Sequence, residues 1–167
     1  MKTVFEGKHL FVRERDDWQY VERKQAREAV AVLAETDDGE LILTEQQRKP
    51  LDARVIDFPA GLVGDEEGTS DPEATAKKEL EEETGYTCDS VELLARGPSS
   101  PGITSEIVSL YRARGVRKQG EGGGVGGENI TVHVIPRGSL REFLRDKERE
   151  GVLTDLKLGI YLQSLTT

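Results

Sequence analysis

Residues 79–83 of this 167-residue chain read Glu-Leu-Glu-Glu-Glu, inside the stretch "KKELEEETGY" from Lys77 to Tyr86. On a helix with 3.6 residues per turn, Glu82 and Glu83 fall within roughly 60° on either side of Glu79, since positions three and four apart share a face. Glu81 falls on nearly the opposite face, so three carboxylates converge and the fourth does not. Like charges at this spacing repel by a few tenths of a kcal/mol when exposed and by more when desolvated. Something must offset that repulsion. A solvated face with Lys77–Glu81 and Lys78–Glu82 pairs is one answer. Clustered, anionic, oxygen-only ligands for a hard divalent cation such as Mg²⁺ or Mn²⁺ are another. The helix offers little to bury beyond Ala76, Leu80 and Thr84. With Leu80 packed inward, Glu79, Glu82 and Glu83 line the rim of the core, and the cation becomes the better reading.

The same residues resemble a known family. Nudix hydrolases carry a glycine, five residues, a glutamate, seven residues, and then Arg-Glu-aliphatic-x-Glu-Glu-x-Gly-aliphatic. "KELEEETGY" is similar to the second half, with Glu79, Glu82, Glu83 and Gly85 on motif positions and Lys78 where the family has arginine. Upstream, "PAGLVGDEE" resembles the "PAGL" opening of the subgroup that acts on ADP-ribose and related nucleotide sugars. With Gly61 as the motif glycine, Glu67 follows at the required spacing. Gly68-Thr69-Ser70 is then a three-residue insertion before the helix. Taking Gly64 as the glycine keeps strict spacing but puts Ser70 at the glutamate position.

The resemblance implies an enzyme that cleaves the pyrophosphate bond of a nucleoside diphosphate sugar, with ADP-ribose going to AMP and ribose 5-phosphate. It implies Mg²⁺ (or Mn²⁺) held by Glu79, Glu82, Glu83 and the backbone carbonyl of Ala60. It implies Glu128, on the loop "GGGVGGE", as general base beside the catalytic Glu82 and Glu83, with Glu121 as the alternative acid. "EQQRKP" resembles the subgroup's Glu-Gln-x-Arg strand end and makes Arg48 a phosphate clamp, with Arg54 and Arg23 as weaker candidates. "SSPGITSE" resembles another subgroup signature, in which Glu106 contacts the terminal ribose; the alternative is a turn with Glu106 paired to an arginine. Trp18 and Tyr20 alternate on one strand, share a face, and are candidates to stack on a purine or to form a dimer contact. His133 alternates with Val132 and Val134 and reads as a satisfied strand histidine. The rival substrates are GDP-mannose, another nucleotide sugar or a dinucleotide. A binding module of the same fold without catalysis is the rival class.

The elements that must position these groups follow from patterning. Asp71 caps, Pro72 opens and Gly85 ends a helix. "TVFEGKHLFVRERDDWQYVERKQ" reads as a β-hairpin around Asp16-Asp17. "EAVAVLAE" and "ELILTEQ" flank the hairpin signal "TDDG". "VIDF", "VELLAR", "EIVSLYRAR" and "NITVHVIP" read as strands, "GVRKQGEGGGVGGE" as a flexible loop, and "LREFLRDKERE" and "LTDLKLGIYLQSL" as helices. The expected class is a mixed α/β (α+β) fold, a mixed sheet sandwiched between helices with an N-terminal β-hairpin arm. One domain spans 1–167, with strands in 1–25 serving homodimerisation and 26–167 forming the catalytic core.

The formal net charge of −9 argues against nucleic acid or an anionic membrane as partner. With a single cysteine, Cys88, no disulfide framework exists, and two histidines add no zinc constellation. No apolar run reaches spanning length and the start lacks a signal-peptide core. A cytoplasmic protein is the expectation, with Cys88 reduced and buried.

Overall fold

The structure is a computed structural model that describes residues 1–26, 28–64, 70–124 and 129–165. Its N-terminal arm is an antiparallel meander of β1 (Lys2–Glu6), β2 (Leu10–Arg15) and β3 (Trp18–Arg23). The turn at Asp16-Asp17 is where the sequence puts it, with both residues at positive φ (50° and 65°), as two-residue hairpin turns require. The arm has three strands rather than two. Gly7-Lys8-His9 reverses the chain, a turn hidden by the alternation that runs through "VFEGKHLFV".

The core follows in chain order. It comprises β4 (Glu28–Glu35), β5 (Glu40–Arg48), β6 (Ala53–Asp57), β7 (Ala60–Leu62), α1 (Pro72–Thr84), β8 (Tyr86–Thr87), β9 (Ser90–Pro98) and β10 (Ile107–Arg114). Then come β11 (Arg117–Lys118), β12 (Thr131–Pro136), α2 (Leu140–Arg149), β13 (Leu153–Thr154) and α3 (Leu156–Ser164). The main sheet runs β13-β6-β5-β4-β10-β9, with β12 added to β5 and β7 to β4. It is mixed: β10–β4 and β13–β6 are parallel and the other pairs antiparallel.

Strand alternation splits the core into two layers. Val30, Val32 and Ala34 of β4 pack with Ala76 and Leu80 of α1. Ala31 and Leu33 face the other way, with Leu41, Leu43, Ile56 and Phe58, against Leu140 and Leu144 of α2 and Leu158 of α3. The sheet is therefore sandwiched between helices. Cys88 is buried and unbonded. Among the described residues no helix is long and apolar enough to cross a membrane.

Two departures from sequence expectation shape the site. First, β4 and β5 pair only beside their turn, at Ala34–Ile42 and Glu35–Leu41, and then splay apart. The edge of β4 thus freed is taken by β7, with Ala31 opposite Ala60 and Ala29 opposite Leu62, and by Pro59, whose carbonyl accepts from Val32 N at 2.8 Å. This carries Ala60-Gly61 under α1.

Second, the glycine-rich stretch read as a flexible loop is docked on α1 as far as Gly124. Gln119 and Gly120 amides both donate to Gly85 O at 2.8 Å, Gly123 N to Glu83 O at 2.8 Å, and Gly124 N to Glu82 O at 3.0 Å. Lys118 Nζ reaches Thr84 O at 3.0 Å. These donors satisfy carbonyls that a helix end otherwise leaves orphaned. Glycine is required by the fit: Gly122 has φ +75° and a Cβ there would lie 2.2 Å from the Thr84 carbonyl carbon. Gly122→Ala is expected to cost about 1–3 kcal/mol, read as a lowered Tm. Gly138→Ala, at a position with open space around it, should leave Tm almost unmoved. Equal shifts in the two variants would mean that the docked loop adds nothing to stability.

Candidate active site

The acidic helix begins where local chemistry dictates. Asp71 accepts a hydrogen bond from Glu73 N at 3.1 Å, Pro72 takes the first turn, and Gly85 closes the helix at φ 71°. Ala76, Leu80 and Thr84 are fully buried, as the wheel requires. Glu81 points away and accepts from Gln119 Nε2 at 3.0 Å.

Glu83 is buried, and its Oε2 accepts from Ala60 N at 2.9 Å. Glu79 lies against Gly61 so closely that a Cβ there would sit 2.0 Å from the carboxyl carbon. Glu82 is half-buried and pairs with Lys78 at 3.2 Å. Glu79 and Glu83 thus meet neighbouring residues of β7, and Glu82 sits along the rim. Among the described residues no three Asp, Glu, His or Cys side chains are gathered into a ready metal cage. The reason is visible: Glu82 leans to Lys78, and Glu83 is taken up by the Ala60 amide, so Ala60 meets the acids through its N–H.

The donor set nonetheless fits a hard divalent cation. All its side-chain groups are carboxylates, two of them press on β7, and Gly61, lacking a side chain, makes room for the Glu79 carboxyl. Glu67 and Glu128 lie outside the described residues. Glu121 is exposed, and its carbonyl accepts from Lys118 Nζ at 3.3 Å.

The candidate substrate residues divide. Arg48 is half-buried at the end of β5, where it opens the short turn Lys49–Leu51. Trp18 is 62% exposed, with Nε1 donating to Gly102 O at 3.2 Å. Tyr20, two residues along β3, is half-buried, and its hydroxyl meets Met1 Sδ at 3.2 Å. β3 is held on the "SSPGITSE" segment by Val21 N to Ile103 O (2.8 Å) and Ser105 N to Val21 O (3.1 Å). In that segment Glu106 accepts from Arg23 Nε at 2.7 Å and from Ser99 Oγ at 3.3 Å. The arginine-paired alternative is therefore the arrangement seen, and it occupies Arg23 as well.

Arg54 has other work. Its guanidinium donates to Glu45 and to Thr131 Oγ1 at 3.0 Å. It shares a face with Ile56 and Phe58, on the α2 side of the sheet, opposite the acidic helix. Proximity to Arg48 in sequence does not carry across a sheet, because alternate residues point to opposite faces. His133 is a satisfied strand histidine: its Nε2 lies 2.8 Å from Glu45 Oε2 and its ring packs on Phe143.

Two buried acids escaped the motif reading. Glu45 is 4% exposed and collects Arg54, His133 and Lys147. Burial pushes its carboxyl up, but these three donors outweigh burial and hold it down at about 2. Asp57, just before the Pro59-Ala60-Gly61 segment, bonds Phe58 N at 2.7 Å and Lys157 Nζ at 2.9 Å. Burial pushes it up to about 6, because one ammonium is shared with Asp155. Lys157, facing both carboxylates, is itself raised against the opposing effect of its burial. The available signal was the phase of alternation: Glu45 shares a face with Leu41 and Leu43, and an acid there needs partners.

A model of the NUDIX domain matches residues 25–155. A methanol dehydrogenase activator of Bacillus methanolicus is 44% identical over 97 residues, covering 58% of this chain and 51% of that protein. An ADP-ribose pyrophosphatase of Bacillus subtilis (strain 168) is 47% identical over 85 residues, covering 51% and 44%. The chain thus spans about half the length of these curated relatives. A crystal structure of an ADP compounds hydrolase superposes with a TM-score of 0.65 over 86% of this chain and 80% of that one, at 20% identity, which speaks to the fold alone. The acidic helix, its glycine-bearing partner strand and the family match agree, and this chain belongs to the Nudix family.

Proposed function

We propose that the chain hydrolyses the pyrophosphate bond of a nucleoside diphosphate sugar, with ADP-ribose the preferred substrate, giving AMP and ribose 5-phosphate. The observation that carries the reading is the contact of Glu79 and Glu83 with Gly61 and Ala60. It supports Glu79, Glu82, Glu83 and the Ala60 carbonyl as the holders of Mg²⁺ or Mn²⁺. Bound there, such an ion neutralises diphosphate oxygens and activates water.

The chain's own groups do the rest. Arg48 binds a phosphate through its forked donors. Trp18 offers an exposed ring face for the base, with Tyr20 beside it. Glu106, held by Arg23, presents its carboxylate to the terminal ribose. Glu128 accepts the proton of the attacking water. Support for Glu128 comes from Gly124, four residues earlier, whose amide is bonded to Glu82 O. The exposed apolar β1, with Val4 and Phe5, suits a homodimer through the N-terminal strands.

Coupled phosphatase release of phosphate, screened over ADP-ribose, GDP-mannose and dinucleotides with and without Mg²⁺, tests the reaction. Metal-dependent release, fastest with ADP-ribose, is expected. No release from any substrate would defeat the hydrolase reading, and GDP-mannose in first place would defeat the substrate. Trp18→Ala is expected to raise KM for adenine-bearing substrates about tenfold, the worth of one base–aromatic stack. An unchanged KM would remove Trp18 from the site.

A further inference from the structure

A cavity of about 440 Å³ opens at the turn end of β4. β7 pairs with the first half of that strand, at Ala29 to Ala31, and the acidic helix packs on the face of Val30, Val32 and Ala34, whereas Leu33 and Tyr161 belong to the opposite layer. The cavity is lined by Leu33 and Glu35 further along, by Arg112 and Arg114 of β10, and by Tyr161 of α3. At about 3.3 Å per residue, Glu35 lies about 13 Å along the strand from Ala31. The cavity is separate from the site described above, and its size lies within the range of small-molecule pockets.

Its charge is unusual for this protein. Three arginines (Arg112, Arg114 and Arg137) face two acids (Glu35 and Asp37), a surplus of one positive charge in a chain of net −9. Arg137 is paired with Glu35 at 3.1 Å, and Arg114 with Glu92 at 2.8 Å. Arg112 is different. It is half-buried, and among the described residues its side chain makes no ion pair or hydrogen bond. The carboxylate opposite it in register is Glu92, which Arg114 already holds. Among the described residues no buried side-chain nitrogen lacks a partner, so the Arg112 guanidinium opens to solvent, and its five donors are available to an incoming acceptor. Beside it stands the Tyr161 hydroxyl. Burial and then Glu35 push that phenol up, against Arg137 and Arg112, so it keeps its proton and remains a donor.

We propose that this cavity is a second ligand site that takes a phosphate dianion, free or as a small phosphomonoester. Arg112 is its principal charge, and Arg137 and the Tyr161 hydroxyl are its further donors. Guanidinium forks match phosphate oxygens in pairs, and a tyrosine hydroxyl adds a third direction.

The test is a titration of the ¹⁵N-labelled protein with inorganic phosphate and, separately, glycerol 3-phosphate, in buffer containing a chelator so that metal-dependent binding is suppressed. Saturable amide shifts confined to residues 33–37 and 112–115 are expected from one or both. Tighter binding of glycerol 3-phosphate identifies the ester as the better source, and equal binding identifies the free ion. Arg112→Gln is expected to weaken the affinity about tenfold, the worth of a charge-assisted bond, and Arg112→Lys to weaken it less. If Arg112→Gln does not fold, Arg137→Gln and Tyr161→Phe take its place, each with a loss of about threefold or more. Shifts absent from both segments, or an unchanged affinity in every folded variant, overturn the proposal.

Discussion

Glu82→Gln is expected to lower kcat about 10³-fold or more in the nucleotide-sugar assay while the protein stays folded. The substitution keeps the shape of the side chain and removes one negative charge from the proposed cation site, where a polyanionic substrate would have to be neutralised. Its structural cost is small. Glu82 makes only a half-exposed pair with Lys78, and such pairs are worth about 0–1 kcal/mol. Turnover and stability should therefore separate: circular dichroism and Tm stay close to the parent as the rate collapses. Glu81→Gln, on the opposite side of the helix, loses only its bond from Gln119 and should keep most of the activity. A rate for Glu82→Gln within about threefold of the parent would remove Glu82 from the chemistry.

The second large effect concerns stability. Glu45 is the carboxylate that joins Arg54, His133 and Lys147. Glu45→Ala leaves Arg54 without its counter-charge, while Lys147 keeps Glu150 at 3.1 Å, and is expected to cost about 3–5 kcal/mol at pH 7. Its pH dependence has a definite sign. The folded carboxyl sits at about 2, below its ordinary 4.5, so its contribution is complete above about pH 4.5 and is lost as pH falls towards 2. Urea unfolding at pH 7, 5 and 3 should show the gap between parent and Glu45→Ala narrowing only at the lowest pH. Asp57 works in the other direction: at about 6 against an ordinary 3.8, it favours the fold below pH 3.8 and loses that as pH rises through 6. The Glu45 variant isolates one slope from the other. A gap of constant size at all three pH values would mean that charge is not what Glu45 supplies.

What the sequence makes legible follows from the range of the forces involved. The acidic helix could be read to within a residue because its signals are local: Asp71-Pro72 at one end and Gly85 at the other. The inward set of Ala76, Leu80 and Thr84 follows from the same 3.6 period, and β4 declares itself by alternation. Contacts distant in sequence were not legible. Nothing in "EAVAVLAE" says that β4 parts from β5 after two residue pairs to admit β7. Arg54 and Arg48 look equivalent as neighbouring cations until the sheet faces are known. The glycine run reads as slack because composition reports side chains, and its bonds are made by backbone amides.

That run reverses a common assumption about where a chain tolerates change. Gln119, Gly120, Gly123 and Gly124 all hold the closing turn of the glutamate helix through main-chain amides, at separations no methyl group would permit at Gly122. The stretch poorest in chemical character is thereby among the least replaceable. An engineer placing a side chain at Gly122 would be editing the seat of the acids without touching one of them.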